Sequence, residues 1–379
     1  MWYDKTNDGI YSFVHQNQIR PLKQGDLSMS VIFVGNGINR CAGIVPGWDE
    51  LFAEAVNVPS FQVRRSLTPT LEYEQNVQAI LNIVPAKKSG DIKRDIANYL
   101  HKKQKEAPAN WDQRIHQKLL TCAPSTILTT NYDYFLEYAI DPNFKPGPAS
   151  TKEILYSKRR YREAGGHRIY HIHGEISGPA SICLGYEHYV GSTQYIRSEL
   201  LKSTDKTKNH FHLADVLNHR DTAIPNRWYY HLFLDTVYIL GFSLDAAEQD
   251  IWWLLNYRAK LKQEHPEWIK NQVIYLETDS PFDAMPSPEK RQELLDKIEA
   301  ANLQERKNIL LEEGKSLSDY WNKKQIIEQK RELLNTFGIV VKDCTKRPGP
   351  GGSDIVISDF VNRYEYALEI MKRGDEQCG

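Results

Sequence analysis

The chain has 379 residues and a mass of 43.9 kDa, with 48 Lys+Arg set against 49 Asp+Glu; it can hold one large domain with insertions or two smaller ones, and its neutral balance gives no global pull toward nucleic acid or an anionic membrane. Cys41, Cys122, Cys183, Cys344 and Cys378 form no Cys-x-x-Cys pair and no even framework, which argues against structural zinc and against a disulfide scaffold. With no basic n-region followed by an apolar core, and no apolar run near eighteen residues, the expectation is a cytoplasmic protein without a membrane contact.

Residues 1–30 read as an N-terminal arm. Six short apolar runs then follow, around 31–34, 126–129, 168–172, 236–240, 272–276 and 338–341, rich in β-branched and aromatic residues. Most are apolar on both faces, as strands buried between two helical layers are. The first run ends in Gly35-Asn36-Gly37. After Pro46, the spacing of Trp48, Leu51, Phe52 and Ala55 predicts an amphipathic helix. Residues 57–122, with Ile92, Ile96 and Leu100 at helical spacing, and residues 187–235 are too long for simple crossovers and predict helical insertions in a second layer. The second run ends in Thr130-Asn131-Tyr132-Asp133, and Tyr132, Phe135, Leu136 and Ala139 predict a helix directly behind Asn131. Lys158-Arg159-Arg160 with Arg162 makes a local basic patch.

The third run carries His171 and His173 before Gly174-Glu175; two apart on a strand, the histidines are expected on one face, with His171 the deeper. The fourth ends in Gly241-Phe242-Ser243-Leu244, where Ser243 or Asp245 is a candidate N-cap for a helix bearing Ile251, Leu254 and Leu255. The fifth ends in Glu277-Thr278. Residues 285–335, dense in Lys, Glu, Gln and Leu, predict exposed helices, either a solvated hairpin or a partner-binding surface. Pro348–Gly352 reads as a flexible break before a helix over 360–371. Strand-helix alternation of this kind implies an α/β fold: a doubly wound, mainly parallel, Rossmann-like sheet of six strands, five of them within a domain over 31–280, which residues 281–379 complete with a charged helical segment, the last strand and a C-terminal helix.

The strand ends carry the chemistry. Gly35 and Gly37 would let backbone N–H groups close on a pyrophosphate, or simply make a tight turn. The usual third glycine is replaced by Arg40, and no acid ends a second strand at the distance a ribose ligand requires, which disfavours a hydride-transferring dehydrogenase. Arg40 could instead meet a phosphate. Asn131 offers an acceptor and donors to a sugar hydroxyl, a water or a carboxamide, and Asp133 could hold a neighbouring loop, although both are common helix caps. His173, beside Gly174, is either a base within reach of a ligand or a hydrogen-bonded core histidine. Gly241 and Ser243 suit a ribose or phosphate oxygen and Glu277 suits ribose hydroxyls; each also reads as turn or cap chemistry.

In this order, Gly35-Asn36-Gly37, Thr130-Asn131-Tyr132-Asp133, His173-Gly174, Gly241-Phe242-Ser243-Leu244 and Leu276-Glu277-Thr278 resemble the NAD-binding core of the sirtuins, and more closely the sirtuin-like domain of bacterial antiphage defence systems. The resemblance implies that Gly35 and Gly37 line the phosphate loop, that Ser243 and Glu277 touch the adenosine half, and that Asn131 and His173 are the catalytic pair, with Asn36, Arg40 and Gly241 as further candidates for holding the dinucleotide. Asp133 would support the nicotinamide pocket. Deacylating sirtuins carry two Cys-x-x-Cys pairs after their His-Gly motif, whereas Cys183 stands alone here, and their Gly-Ile-Pro-Asp-Phe-Arg segment is replaced by residues 44–51, Ile-Val-Pro-Gly-Trp-Asp-Glu-Leu. The expectation is therefore a metal-free NAD hydrolase without a zinc module, releasing nicotinamide and ADP-ribose. The alternatives are an NAD-dependent protein deacylase or ADP-ribosyltransferase, and a non-catalytic NAD-sensing subunit. The resemblance further implies a homo-oligomer that assembles with a HerA-type hexameric ATPase and depletes NAD during phage attack, without binding nucleic acid itself.

Overall fold

The computed structural model describes residues 19–20, 30–44, 51, 54–56, 88–106, 111–122, 125–148, 151–201, 213–218, 224–244, 248–284, 288–313 and 315–378. Seven strands form the main sheet: β1 (Ser30–Val34), β2 (Thr126–Thr129), β3 (Arg162–Ala164), β4 (His167–His171), β5 (Thr236–Leu240), β6 (Val273–Glu277) and β7 (Val340–Asp343). Their spatial order is β3-β4-β2-β1-β5-β6-β7, parallel throughout except for β3. The order reverses direction at β1, so the crevice between the carboxyl ends of β1 and β5 is the topological switch point where open α/β sheets take ligands.

The period of two along each strand divides the core. Val31, Phe33, Leu128, Tyr170, Val237, Ile239 and Tyr275 point to one face, against α5 (Tyr186–Leu201) and α8 (Gln249–Glu264). Ile32, Val34, Ile127, Ile169, Leu240 and Leu276 point to the other, against α3 (Arg114–Cys122) and α12 (Phe360–Cys378). Each such fully buried Ile or Leu contributes about 1.5–3 kcal/mol, and neither face can be exposed without losing a whole row of them. This is the doubly wound α/β arrangement, Rossmann-like, with one strand more than the six expected.

The extra strand, β3, has no apolar run to announce it. Its signal is the Gly165-Gly166 turn, where both residues adopt positive φ (54° and 84°) and return the chain antiparallel into β4. The helix behind Asn131 begins later than expected, as α4 (Phe135–Ile140), because Asp133 Oδ1 accepts from Phe135 N and holds residues 132–134 in a loop. Ser243 does not cap α8; Glu248 holds the N-cap position without a side-chain cap bond, and Asp245 lies outside the described residues. Residues 348–352 make a turn between two antiparallel strands, β8 (Lys346–Pro348) and β9 (Asp354–Val356), closed by Gly349 N donating to Ser353 O at 2.7 Å. The basic patch is spent internally: Lys158 pairs with Glu199, Arg159 with Glu153, and Arg160 and Arg162 with Glu175.

Of the remaining helices, α2 (Ser89–Glu106) sets Ile92, Ile96 and Leu100 over Tyr132, Phe135, Ile176 and Ile182, the loops that follow β2 and β4. The helix predicted after Pro46 falls mostly outside the described residues, as do 57–87 and most of 1–30. Between β6 and β7 lie α9 (Pro288–Ala300), α10 (Leu303–Glu313) and α11 (Lys315–Thr336). Short helices α1 (Gly37–Cys41), α6 (Leu213–Asn218) and α7 (His231–Leu234) complete the described set. Among the described residues no helix is long and apolar enough to cross a membrane.

Candidate active site

A cleft of about 1030 Å³ opens over the carboxyl ends of β1, β2, β4 and β5, lined by Asn36, Gly37, Arg40, Thr130, Asn131, Asp133, His173, Ser243 and Glu248 among others. Its far wall is α11, which contributes Lys323, Ile326, Ile327, Lys330 and Leu333. The charged segment expected to be a solvated hairpin or a partner surface thus turns one face to the cleft.

The glycine strand ends are built against each other. Gly35 N donates to Leu240 O at 3.1 Å and Gly37 N to Gly241 O at 2.8 Å. A Cβ on Gly35 would lie 2.6 Å from Phe242 Cα, and one on Gly37 would lie 2.7 Å from Gly241 Cα and run into the Tyr364 hydroxyl of α12. These glycines are required first for the close approach of two backbones, and that approach shapes the floor of the crevice. Arg40, on α1, sets its guanidinium over the Phe360 ring at 5.5 Å and also lines the cleft.

Asn131 is gripped from three sides. Its N–H donates to Thr129 Oγ1 at 3.1 Å, its side-chain Nδ2 to Gly35 O at 3.3 Å, and its carbonyl accepts from His171 Nδ1 at 2.7 Å. Asp133 is buried, and burial pushes its carboxyl up to about 6. Its Oδ2 accepts from Asn39 Nδ2 at 3.0 Å, and the same Nδ2 lies 3.3 Å from Asn36 Oδ1, so Asn39 ties the phosphate-loop turn to the loop after β2. Because Asn39 spends its amide as a donor, its Oδ1 must accept from His116 Nε2 at 2.9 Å. That fixes the His116 tautomer, and burial drops this ring to about 3, keeping it neutral.

The two histidines separate. The strand stops at His171, and the turn at 172–173 carries His173 toward α8 and α5, while His171 faces Glu137 on α4 at 2.8 Å. The expectation of a shared face fails because period-two geometry ends with the strand. His173 Nε2 lies 3.1 Å from Asp250 Oδ2, its Nδ1 lies 3.5 Å from Glu248 Oε2, and the Tyr189 ring meets it edge-on at 5.3 Å. Asp250 also accepts from Ser192 Oγ at 2.7 Å and from Ile251 N at 2.9 Å. Burial would raise this carboxyl, but the His173 charge and these donors outweigh it and hold it below the usual range. Asp250 is therefore an acceptor and His173 Nε2 carries a proton, while Nδ1 faces the Glu248 carboxylate. The His173, Glu248 and Asp250 ligand atoms come within 4.8 Å of one another, with Asp250 on the Nε2 side of the ring and Glu248 on the Nδ1 side.

Beyond the His-Gly motif, Gly174 takes φ 102°, a conformation only glycine adopts without strain. Glu175 leaves the cleft and is buried against Arg160 and Arg162; burial would raise it, and the Arg162 hydrogen bonds overcome that and hold it low. Cys183 is buried, its thiol pushed up to about 12 by burial, with its N–H on His173 O. Ser243 is exposed on the cleft wall.

Glu277 is not on that wall. It is fully buried, pushed up to about 7 by burial, and lies behind Lys330 at 3.7 Å. Lys330 also reaches Asp279 at 3.7 Å, Ser243 O at 3.0 Å and Tyr275 OH at 2.9 Å. Asp279 is the acid that lines the cleft at this end. Sequence reasoning missed Asn39, His116, Glu248, Asp250, Asp279 and Lys330. Asp250 reads as an ordinary acid in the first turn of a helix, and Lys330 is one charge in a charged run.

Residues 125–299 match the SIR2-like domain family. The matched span opens at β2 and takes in Asn131, Asp133, His173, Gly241, Ser243 and Glu277, and begins after the Gly35–Gly37 turn. The match likens this part of the chain to SIR2-like domains, a family that uses NAD. No curated protein matches the chain significantly.

Proposed function

We propose that the protein is an NAD glycohydrolase, cleaving the bond between nicotinamide and ribose with water as the acceptor. The observation that carries this reading is the convergence of Asn131, Asp133 and His173 on one cleft at the β1/β5 switch point, with His173 Nε2 held by Asp250. In the reaction the C1′–N bond breaks and its electron pair passes to the pyridinium nitrogen, so nicotinamide leaves neutral. Water adds to the oxocarbenium-like ribose carbon and yields its proton to His173 Nδ1. The imidazolium formed is flanked by Asp250 and Glu248, which stabilise the charge as it appears. Asn131 orients the water and the ribose, Asp133 supports the nicotinamide pocket, and Arg40 with the Gly35–Gly37 turn meets the phosphates. Asp279, in place of Glu277, faces the ribose hydroxyls at the α11 end.

Purified protein incubated with NAD releases nicotinamide and ADP-ribose, with no dependence on an acylated peptide. General-base assistance is worth about 10² to 10⁴ in rate, so His173→Ala and Asn131→Ala lose most turnover while still binding NAD. Wild-type turnover in both variants would refute the assignment. Motif order and the unpaired Cys183 support the wider setting within this proposal, that of a defence subunit held inactive until it assembles with a HerA-type ATPase. Co-purification from cells expressing both proteins tests that partnership.

A further inference from the structure

We infer that Glu137 and His171 form a positioning pair that holds Asn131 in its working orientation, a role that rests on the glycohydrolase reading above. Neither residue lines the cleft. His171 Nδ1 lies 2.7 Å from Asn131 O and Nε2 lies 2.8 Å from Glu137 Oε1. A carbonyl can only accept, so Nδ1 carries a hydrogen. One further proton sits between Nε2 and Oε1, and wherever it rests the pair is neutral overall and the donor to Asn131 is unchanged. The carbonyl it grips belongs to the peptide plane joining residues 131 and 132. Fixing that plane fixes the direction in which the Asn131 side chain leaves the backbone toward Gly35 and the cleft.

A core that needed only to fill this space would do so more stably with apolar residues, because taking two ionisable groups out of water is expensive. Glu137 is fully buried on α4, and its second oxygen, Oε2, has no hydrogen-bond partner among the described residues. The helix therefore tolerates a buried, half-satisfied carboxylate in order to serve one histidine, which in turn serves one carbonyl of the candidate catalytic asparagine. The charged groups facing the ring are Glu137 from α4, Glu175 from the turn after β4 and Asp133 from the loop after β2, and the edge of the Tyr134 ring closes the remaining side at 5.3 Å. Burial alone would strip the ring of its second proton; the Glu137 charge and hydrogen bond outweigh that and raise its affinity for it.

The test compares wild type with His171→Phe, which keeps a ring and removes both donors, His171→Gln, whose amide can still reach Asn131 O, and Glu137→Gln. Nicotinamide release gives kcat and KM, calorimetry gives NAD affinity, and circular dichroism gives the folded fraction. A misplacement of about 1 Å costs about 100-fold, so His171→Phe is expected to lose about that much in kcat with NAD affinity nearly unchanged, and His171→Gln to recover part of the loss. If His171→Phe does not fold, His171→Leu, which also removes both donors, carries the same comparison, since a Glu137→Gln amide can donate to Nε2 and leave the Nδ1 donor in place. A folded His171→Phe or His171→Leu protein that keeps wild-type kcat, or that loses NAD affinity in step with kcat, overturns the positioning role. Wild-type protein that turns over no NAD overturns the glycohydrolase reading and the positioning role with it.

Discussion

Replacing Asp250 with Asn tests the His173 assignment most sharply, because the structure dictates how the new amide must sit. Asp250 Oδ1 accepts from the backbone N–H of Ile251 at 2.9 Å, and that fixed donor requires the Asn carbonyl oxygen. The Asn NH₂ then takes the place of Oδ2, facing Ser192 Oγ and His173 Nε2. The serine hydroxyl can rotate to accept. The imidazole can accept only by moving its proton to Nδ1, which removes the basic lone pair from the nitrogen that should take the proton from water. The same inversion of tautomer in a serine protease costs about 10⁴ in kcat, and general-base catalysis as a whole is worth about 10² to 10⁴. Asp250→Asn is thus expected to lower kcat by about 10² to 10⁴, or about 2.7 to 5.4 kcal/mol at 1.36 kcal/mol per decade. NAD affinity is expected to stay near wild type, since Asp250 is fully buried behind His173. The assay is initial-rate nicotinamide release at saturating NAD, beside calorimetric binding and a thermal melt. Wild-type kcat in a folded Asp250→Asn protein would remove His173 from the role of base, whatever its position.

Three further outcomes follow from named contacts. Gly37→Ala forces a methyl against Gly241 Cα and the Tyr364 hydroxyl, so it lowers the melting temperature; adding Tyr364→Phe relieves only the side-chain part, and full recovery would mean the glycine is not held by the Gly241 backbone. Glu277 is raised from the usual 4.5 to about 7 by burial, so between those values the folded state holds a proton that the unfolded state has released. Its contribution to stability is therefore lost as pH rises from 4.5 to 7, by up to about 3 kcal/mol; Glu277→Gln should flatten that part of the stability profile in urea titrations, and an unchanged slope would contradict the burial effect. Arg162→Leu breaks a buried pair with Glu175, costing about 3 to 5 kcal/mol when one partner is removed, toward the lower end because Arg160 remains at 3.0 Å; a loss below 1 kcal/mol in denaturant unfolding would show that the pair behaves as a surface contact.

Much of the fold was legible because burial writes itself into the chain locally. Five of the six predicted runs coincide with β1, β2, β4, β5 and β6 to within a residue, since strands covered on both faces must be apolar throughout. The sixth, predicted at 338–341, begins later as β7, an edge strand with a partly exposed pattern. The missed strand, β3, reads Arg-Glu-Ala and is held by a glycine turn and by pairing to β4, neither of which leaves an apolar run. Ser243 failed as a cap because the chain between it and α8 is longer than a single-residue cap allows.

The sequence by itself determined which residues stand at the strand ends. Asn131, Asp133, His173 and Ser243 follow apolar runs, and in a parallel sheet such runs end on a common edge, so their convergence follows from alternation and handedness alone. Only the tertiary structure decided what each one touches. His173 meets Asp250 across 77 positions of chain, Asp133 meets Asn39 across 94, and Glu277 is covered by a lysine from α11. Those pairings depend on how helices from distant segments are set against the sheet, and a hydrogen bond between remote residues leaves no periodicity behind. The strand ends declare a cleft; the helices that close over it decide which partner each residue meets.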